Sequence, residues 1–130
     1  MTVVVDSSAV VAALAGGGDE GAWAESELAR DDLAAPHLML VEVANILRRS
    51  SLSGQLSADV ASIAHGDLLD LPIALFPYEA TADRAWELRT NLSMYDAWYV
   101  ALAERLEADM VTLDRRIARA PGPRCAFRTP

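Results

Sequence analysis

The chain has 130 residues, about half of them hydrophobic, which suffices for one core and not for two, so a single domain over residues 1–130 is expected. No run approaches the roughly 18 apolar residues of a membrane span. Asp6 stands where a signal peptide carries positive charge, and the lone Cys125 rules out an intrachain disulfide or a thiolate zinc cluster. A cytoplasmic location and a small buried thiol are therefore expected. The net charge of −8 argues against a nucleic-acid binder. That objection weakens if several of the negative charges bind metal and the basic side chains are grouped. All eleven basic residues are Arg, with five between Arg115 and Arg128, although a compositional bias explains arginine-only usage equally well.

In chain order, Thr2–Val5 reads as a short apolar strand, and Ser7-Ser8 followed by Ala9–Leu14 as a helix start that Gly16-Gly17-Gly18 breaks. A second helix is expected over Asp19–Arg30, a brief strand over Leu33–Ala35, and a helix over Leu38–Arg49. Ser50–Ser57 is polar and reads as a loop, with Ser57 capping a helix whose apolar stripe is Val60, Ala64, Leu68 and Leu71. Ile73–Phe76, between two prolines, is a strand, and Glu79–Leu92 reads as helix. Tyr95, Trp98, Tyr99, Leu102 and Leu106 mark another helix, Met110–Leu113 a strand, and Cys125–Arg128 an edge strand. Strands apolar throughout and separated by helices indicate a mainly parallel sheet covered on both faces, hence a three-layer α/β/α sandwich.

Four carboxylates lie against apolar segments where a charge is costly: Asp6, Glu42, Asp96 and Asp114. Asp6 and Asp114 each end a strand, where parallel sheets bind ligands. Taken singly, helix capping is the stronger account of either one. Ser93-Met94-Tyr95-Asp96 fits a capping box. Glu42 lies within a helix, on the face of Leu38 and Ile46, where capping does not apply; an ion pair with Arg48 or Arg49 is its structural alternative. If the four converge, a divalent cation relieves both their burial and their repulsion. A site of oxygen ligands alone suits Mg²⁺ or Mn²⁺ and points toward phosphates.

The segments Val5-Asp6-Ser7-Ser8-Ala9, Glu42 within Val41–Arg49, Tyr95–Glu104 and Thr112-Leu113-Asp114-Arg115-Arg116 together resemble a PIN-domain ribonuclease of the VapC toxin type. The resemblance covers nearly the whole chain. It implies that Asp6, Glu42, Asp96 and Asp114 bind Mg²⁺ or Mn²⁺ and form the catalytic set, supported by Ser8 and Thr112. It further implies endonucleolytic cleavage of RNA, often tRNA, neutralisation by a cognate VapB-type antitoxin, and a homodimer. Arg48, Arg49, Arg115 and Arg116 are candidates for RNA contact. The pattern departs at Arg116, where some members carry another acid, so a second cation is expected to bind weakly or only with substrate.

Two readings from other classes stand beside it. Aspartate-dependent phosphoryl transfer on Asp6 fits an α/β, Mg²⁺-dependent fold, but it normally employs a lysine, and the chain has none. A non-enzymatic binding module, with the acids serving as caps and ion pairs, predicts almost no stabilisation by divalent cations.

Overall fold

A computed structural model describes residues 1–130. Five strands, β1 (Thr2–Val5), β2 (Asp32–Pro36), β3 (Ile73–Phe76), β4 (Asp109–Val111) and β5 (Phe127–Arg128), form one sheet in the order β3-β2-β1-β4-β5. Every pairing is parallel. The helices are α1 (Ser7–Ala15), α2 (Gly18–Arg30), α3 (Met39–Leu52), α4 (Ala58–Asp70), α5 (Ala82–Glu87), α6 (Met94–Arg105) and α7 (Arg115–Arg119). No helix is long and apolar enough to cross a membrane.

The central strand β1 is buried over Val3, Val4 and Val5, as a strand covered on both faces must be. One cover is α6, which lies across β1, β2 and β4 with α5 packed on it; α1 packs against α2, α3 and α4. Ala97, Tyr99, Val100, Ala101, Leu102 and Ala103 are all buried, so α6 is apolar nearly all round, consistent with an interior helix. The corner between α1 and α2 depends on glycine. Gly18 has φ of 68°, and a Cβ on Gly21 would meet the Gly16 carbonyl oxygen at 2.5 Å.

Several boundaries differ from expectation. Helix α3 continues through Leu52, so the loop is shorter than residues 50–57. On α4 the inward stripe is Ala61, Ala64 and Leu68; Val60 is 45 % exposed, because small alanines rather than the larger valine fit against the neighbouring helices. Residues 79–92 are not one helix but two 3-10 turns, Glu79–Thr81 and Leu88–Thr90, flanking the short α5. Helix α7 follows β4 where no helix was expected, and β5 is limited to two residues.

Candidate active site

From β1 the chain steps outward to β2 and β3, then returns to the opposite side of β1 to form β4. The topological switch therefore falls between β1 and β4, where the carboxyl ends of two diverging strands leave a crevice. Val5 pairs with Val111, so the next residues, Asp6 and Thr112, lie level across that crevice. Asp6 is 5 % exposed and heavily satisfied. Its Oδ1 accepts from the Ser8 hydroxyl at 2.6 Å and from the Ala9 N–H at 3.0 Å, and its Oδ2 accepts from the buried Thr112 hydroxyl. Ser8 Oγ in turn accepts the Leu113 N–H at 3.1 Å, and Thr112 Oγ1 accepts the Asp114 N–H at 2.9 Å. Asp6 thus caps α1 and also anchors a network that ties the end of β1 to the end of β4.

Glu42 comes from α3 and makes no pair with Arg48 or Arg49. Its Oε1 accepts from the Tyr99 hydroxyl at 2.6 Å, a bond between residues 57 apart in the chain. Asp96 lies in the first turn of α6. The Ser93 hydroxyl accepts the Asp96 N–H at 3.2 Å, which caps the helix, but the reciprocal bond from the Ser93 N–H to the Asp96 carboxylate is absent. Half a capping box leaves that carboxylate available. Asp114 caps α7 by accepting the Arg116 N–H at 2.9 Å and holds the Arg116 guanidinium through Nε at 3.2 Å and Nη2 at 3.0 Å.

The charges report on one another. Burial raises the Asp6 carboxyl above its usual range despite the Ser8, Thr112 and Ala9 bonds, and Asp96 adds repulsion. Burial likewise raises Glu42, opposed by the Tyr99 bond and reinforced by Asp96 and Asp6. Asp96 is raised by burial and by Asp114, whereas Arg116 holds Asp114 below the usual carboxylate range. The Tyr99 phenol is pushed upward by burial and by Glu42, so it remains a proton donor. Repulsion thus links Asp6, Glu42 and Asp96 to one another, and Asp114 to this set through Asp96 alone.

By donor chemistry and charge the site fits a hard divalent cation, since its donors are oxygens whose mutual repulsion a cation removes. The cage is not closed: no three His, Cys, Asp or Glu side chains are spaced to grip one ion as they stand. A cleft of about 150 Å³ runs beside Asp96 and Asp114. The most spacious cavity, about 440 Å³, lies instead near Cys125 and Asp109, at the amino end of β4. It holds none of the four acids.

Among the arginines, Arg48 and Arg49 are exposed on α3 and make no side-chain hydrogen bond or ion pair. They sit two turns beyond Glu42, roughly 9 Å along the helix axis. Arg115 donates to the Pro130 carbonyl and Arg116 binds Asp114, so neither is a free phosphate ligand. Tyr99 escaped sequence reasoning, which placed it in an apolar stripe. Its signal was available: a buried tyrosine hydroxyl needs a partner.

The PIN domain family model matches residues 3–123. The chain belongs to the PIN-domain family. Within the PIN domains it groups with the VapC ribonucleases. It is 40 % identical to Ribonuclease VapC1 of Mycobacterium tuberculosis over 126 residues, 96 % of this chain and 95 % of that protein. Ribonuclease VapC9 of the same organism is 38 % identical over 123 residues, 95 % of this chain and 94 % of the relative. The PIN fold also matches PAE2754 from Pyrobaculum aerophilum, with a TM-score of 0.71 at 24 % identity, covering 98 % of this chain and 83 % of that one. For VapBC2 of Rickettsia felis, solved bound to a promoter DNA fragment, the TM-score is 0.70 at 16 % identity, covering 99 % and 98 %.

Proposed function

We propose that this chain, acting as one PIN domain over residues 1–130, is a divalent-metal-dependent endoribonuclease and the toxin of a toxin–antitoxin pair. The reading is supported by Asp6 at the β1/β4 crevice and the repulsion that links it with Glu42 and Asp96, and Asp96 with Asp114, in a chain 40 % identical to a VapC ribonuclease. Asp6, Glu42, Asp96 and Asp114 are the ligands assigned to Mg²⁺ or Mn²⁺, which when bound neutralises phosphate charge and makes a nucleophile of water.

The chain's own residues have separable tasks. The Ser8 and Thr112 hydroxyls and the Ala9 N–H hold Asp6 in one orientation, leaving it little freedom to rotate away. Tyr99 fixes Glu42. Raised proton affinities at Asp6, Glu42 and Asp96 make the site sensitive to acid, because protonating any of them removes a ligand. Arg48 and Arg49, exposed beyond Glu42, are assigned to the RNA backbone despite the acidic net charge. Structured RNA such as tRNA is the proposed substrate. A VapB-type antitoxin is the proposed partner, in keeping with the VapBC complexes of the same fold. A homodimer would join two clefts into one groove.

The Asp6→Asn variant tests the reading. Purified without antitoxin, the wild type is expected to cleave structured RNA in Mn²⁺ or Mg²⁺ and to stop on chelation. Loss of the anchoring ligand should cost at least about 100-fold in rate. Undiminished cleavage by Asp6→Asn would refute the assignment. The phosphoryl-transfer alternative predicts instead a covalent phosphate on Asp6.

A further inference from the structure

Arg116 stands at the rim of the acidic cleft in an arrangement that RNA hydrolysis does not require. Its Nε lies 3.2 Å from Asp114 Oδ1 and its Nη2 lies 3.0 Å from Oδ2, a two-point fork on one carboxylate. The Arg116 N–H also donates to Oδ1, at 2.9 Å. The turn that presents the carboxylate therefore presents its counter-ion two residues later. Arg116 and Asp114 line the 150 Å³ cleft together with Asp96. The guanidinium is 90 % exposed and free to leave, while the Asp114 side chain is 24 % exposed and held in place by the α7 cap.

A divalent cation on Asp114 needs the same carboxylate oxygens that the fork occupies, and two positive groups in contact repel strongly. Each therefore weakens the other's hold on Asp114. Resting on the cation site proposed above, we infer that Arg116 is a built-in competitor of the divalent cation for Asp114. In the cation-free protein Arg116 holds the Asp114 carboxylate oriented and engages both of its oxygens. Cation binding displaces the guanidinium, which then projects from the cleft rim with all its donors free. Arg115 provides the internal contrast: it carries the same charge one residue earlier but donates to the Pro130 main-chain oxygen and to none of the four acids.

The test measures binding rather than cleavage: Mn²⁺ is titrated by calorimetry, and by loss of the free-ion spin-resonance signal, into the full chain and its variants. Arg116→Ala should tighten Mn²⁺ binding about two- to fivefold, the range an exposed ion pair commands. Arg115→Ala should leave it unchanged. In an Asp114→Asn background the Arg116→Ala effect should disappear, because the contested carboxylate is gone. Unchanged or weaker binding by Arg116→Ala overturns the inference, as does an equal gain in the Asp114→Asn background, which would show only general repulsion. Asp6→Asn separates the two levels. If no Asp6-dependent Mn²⁺ binding occurs at all, the cation site falls and this inference with it; if Asp6-dependent binding is indifferent to Arg116, only this inference falls.

Discussion

Tyr99→Phe deletes one oxygen from the interior and leaves the ring that packs the core. Tyr99 is 2 % exposed and its hydroxyl donates to Glu42 at 2.6 Å, so the variant strips a half-buried carboxylate of its hydrogen-bond donor. A bond to a charged acceptor contributes about 1.5–3 kcal/mol net, against about 0.5–1.5 kcal/mol for a neutral one. Glu42 retains some solvent, so the lower end applies: a loss of about 1.5 kcal/mol near pH 8, or roughly 5 °C in Tm for a chain of this length. The bond favours ionised Glu42, and Glu42's proton affinity in the fold is raised above its ordinary value. The charged part of the contribution is thus present above that raised value and fades as pH falls through it, leaving about 0.5 kcal/mol near pH 4. Urea unfolding of wild type and Tyr99→Phe at both pH values, with divalent ions chelated, measures the difference directly. A penalty equal at the two pH values, or no penalty, would refute the role given to this bond. In a Glu42→Gln background the pH dependence of the penalty should vanish.

Asp96→Asn should stabilise the cation-free protein above the ordinary carboxylate range, because folding raises the Asp96 proton affinity and ionisation there opposes the native state. The same variant should lose most of the rise in Tm that millimolar Mn²⁺ gives the wild type, whereas a loss of stability in chelator would contradict the repulsion argument. Thr112→Val removes the donor to Asp6 and the acceptor of the Asp114 N–H together, inside a fully buried position, and should cost about 2–3 kcal/mol and about 10–100-fold in cleavage, with Thr112→Ser restoring most of both. Cys125 is half-buried rather than the buried thiol expected, yet burial still pushes its thiol up to about 11. A disulfide exchange reagent near pH 8 should therefore modify it far more slowly than free cysteine, and equal rates would refute that shift.

Local pattern was legible wherever one force acted alone. The strands Thr2–Val5 and Ile73–Phe76 have the bounds expected of short apolar runs, and Ser57 and Ser93 cap the helices they precede. Legibility failed where alanine blurs periodicity, as on α4. It failed again where propensity alone would continue a helix through Leu88, which tertiary packing instead turns into a 3-10 segment. Capping, treated as the alternative to a ligand role for Asp6 and Asp114, does not exclude one, since a carboxylate that caps with one oxygen keeps lone pairs for other partners.

The one-dimensional pattern by itself determined the parallel α/β class, the four exceptional acids and the family kinship, because each depends on residue type and short-range spacing. Strand order, the level pairing of Asp6 with Thr112, the donor that Tyr99 supplies to Glu42, and the capture of Asp114 by Arg116 came only from the folded chain. Hydrophobic periodicity specifies which face of an element is buried. It does not say which neighbour that face meets, and the polar contacts at a crevice between strands depend on that choice.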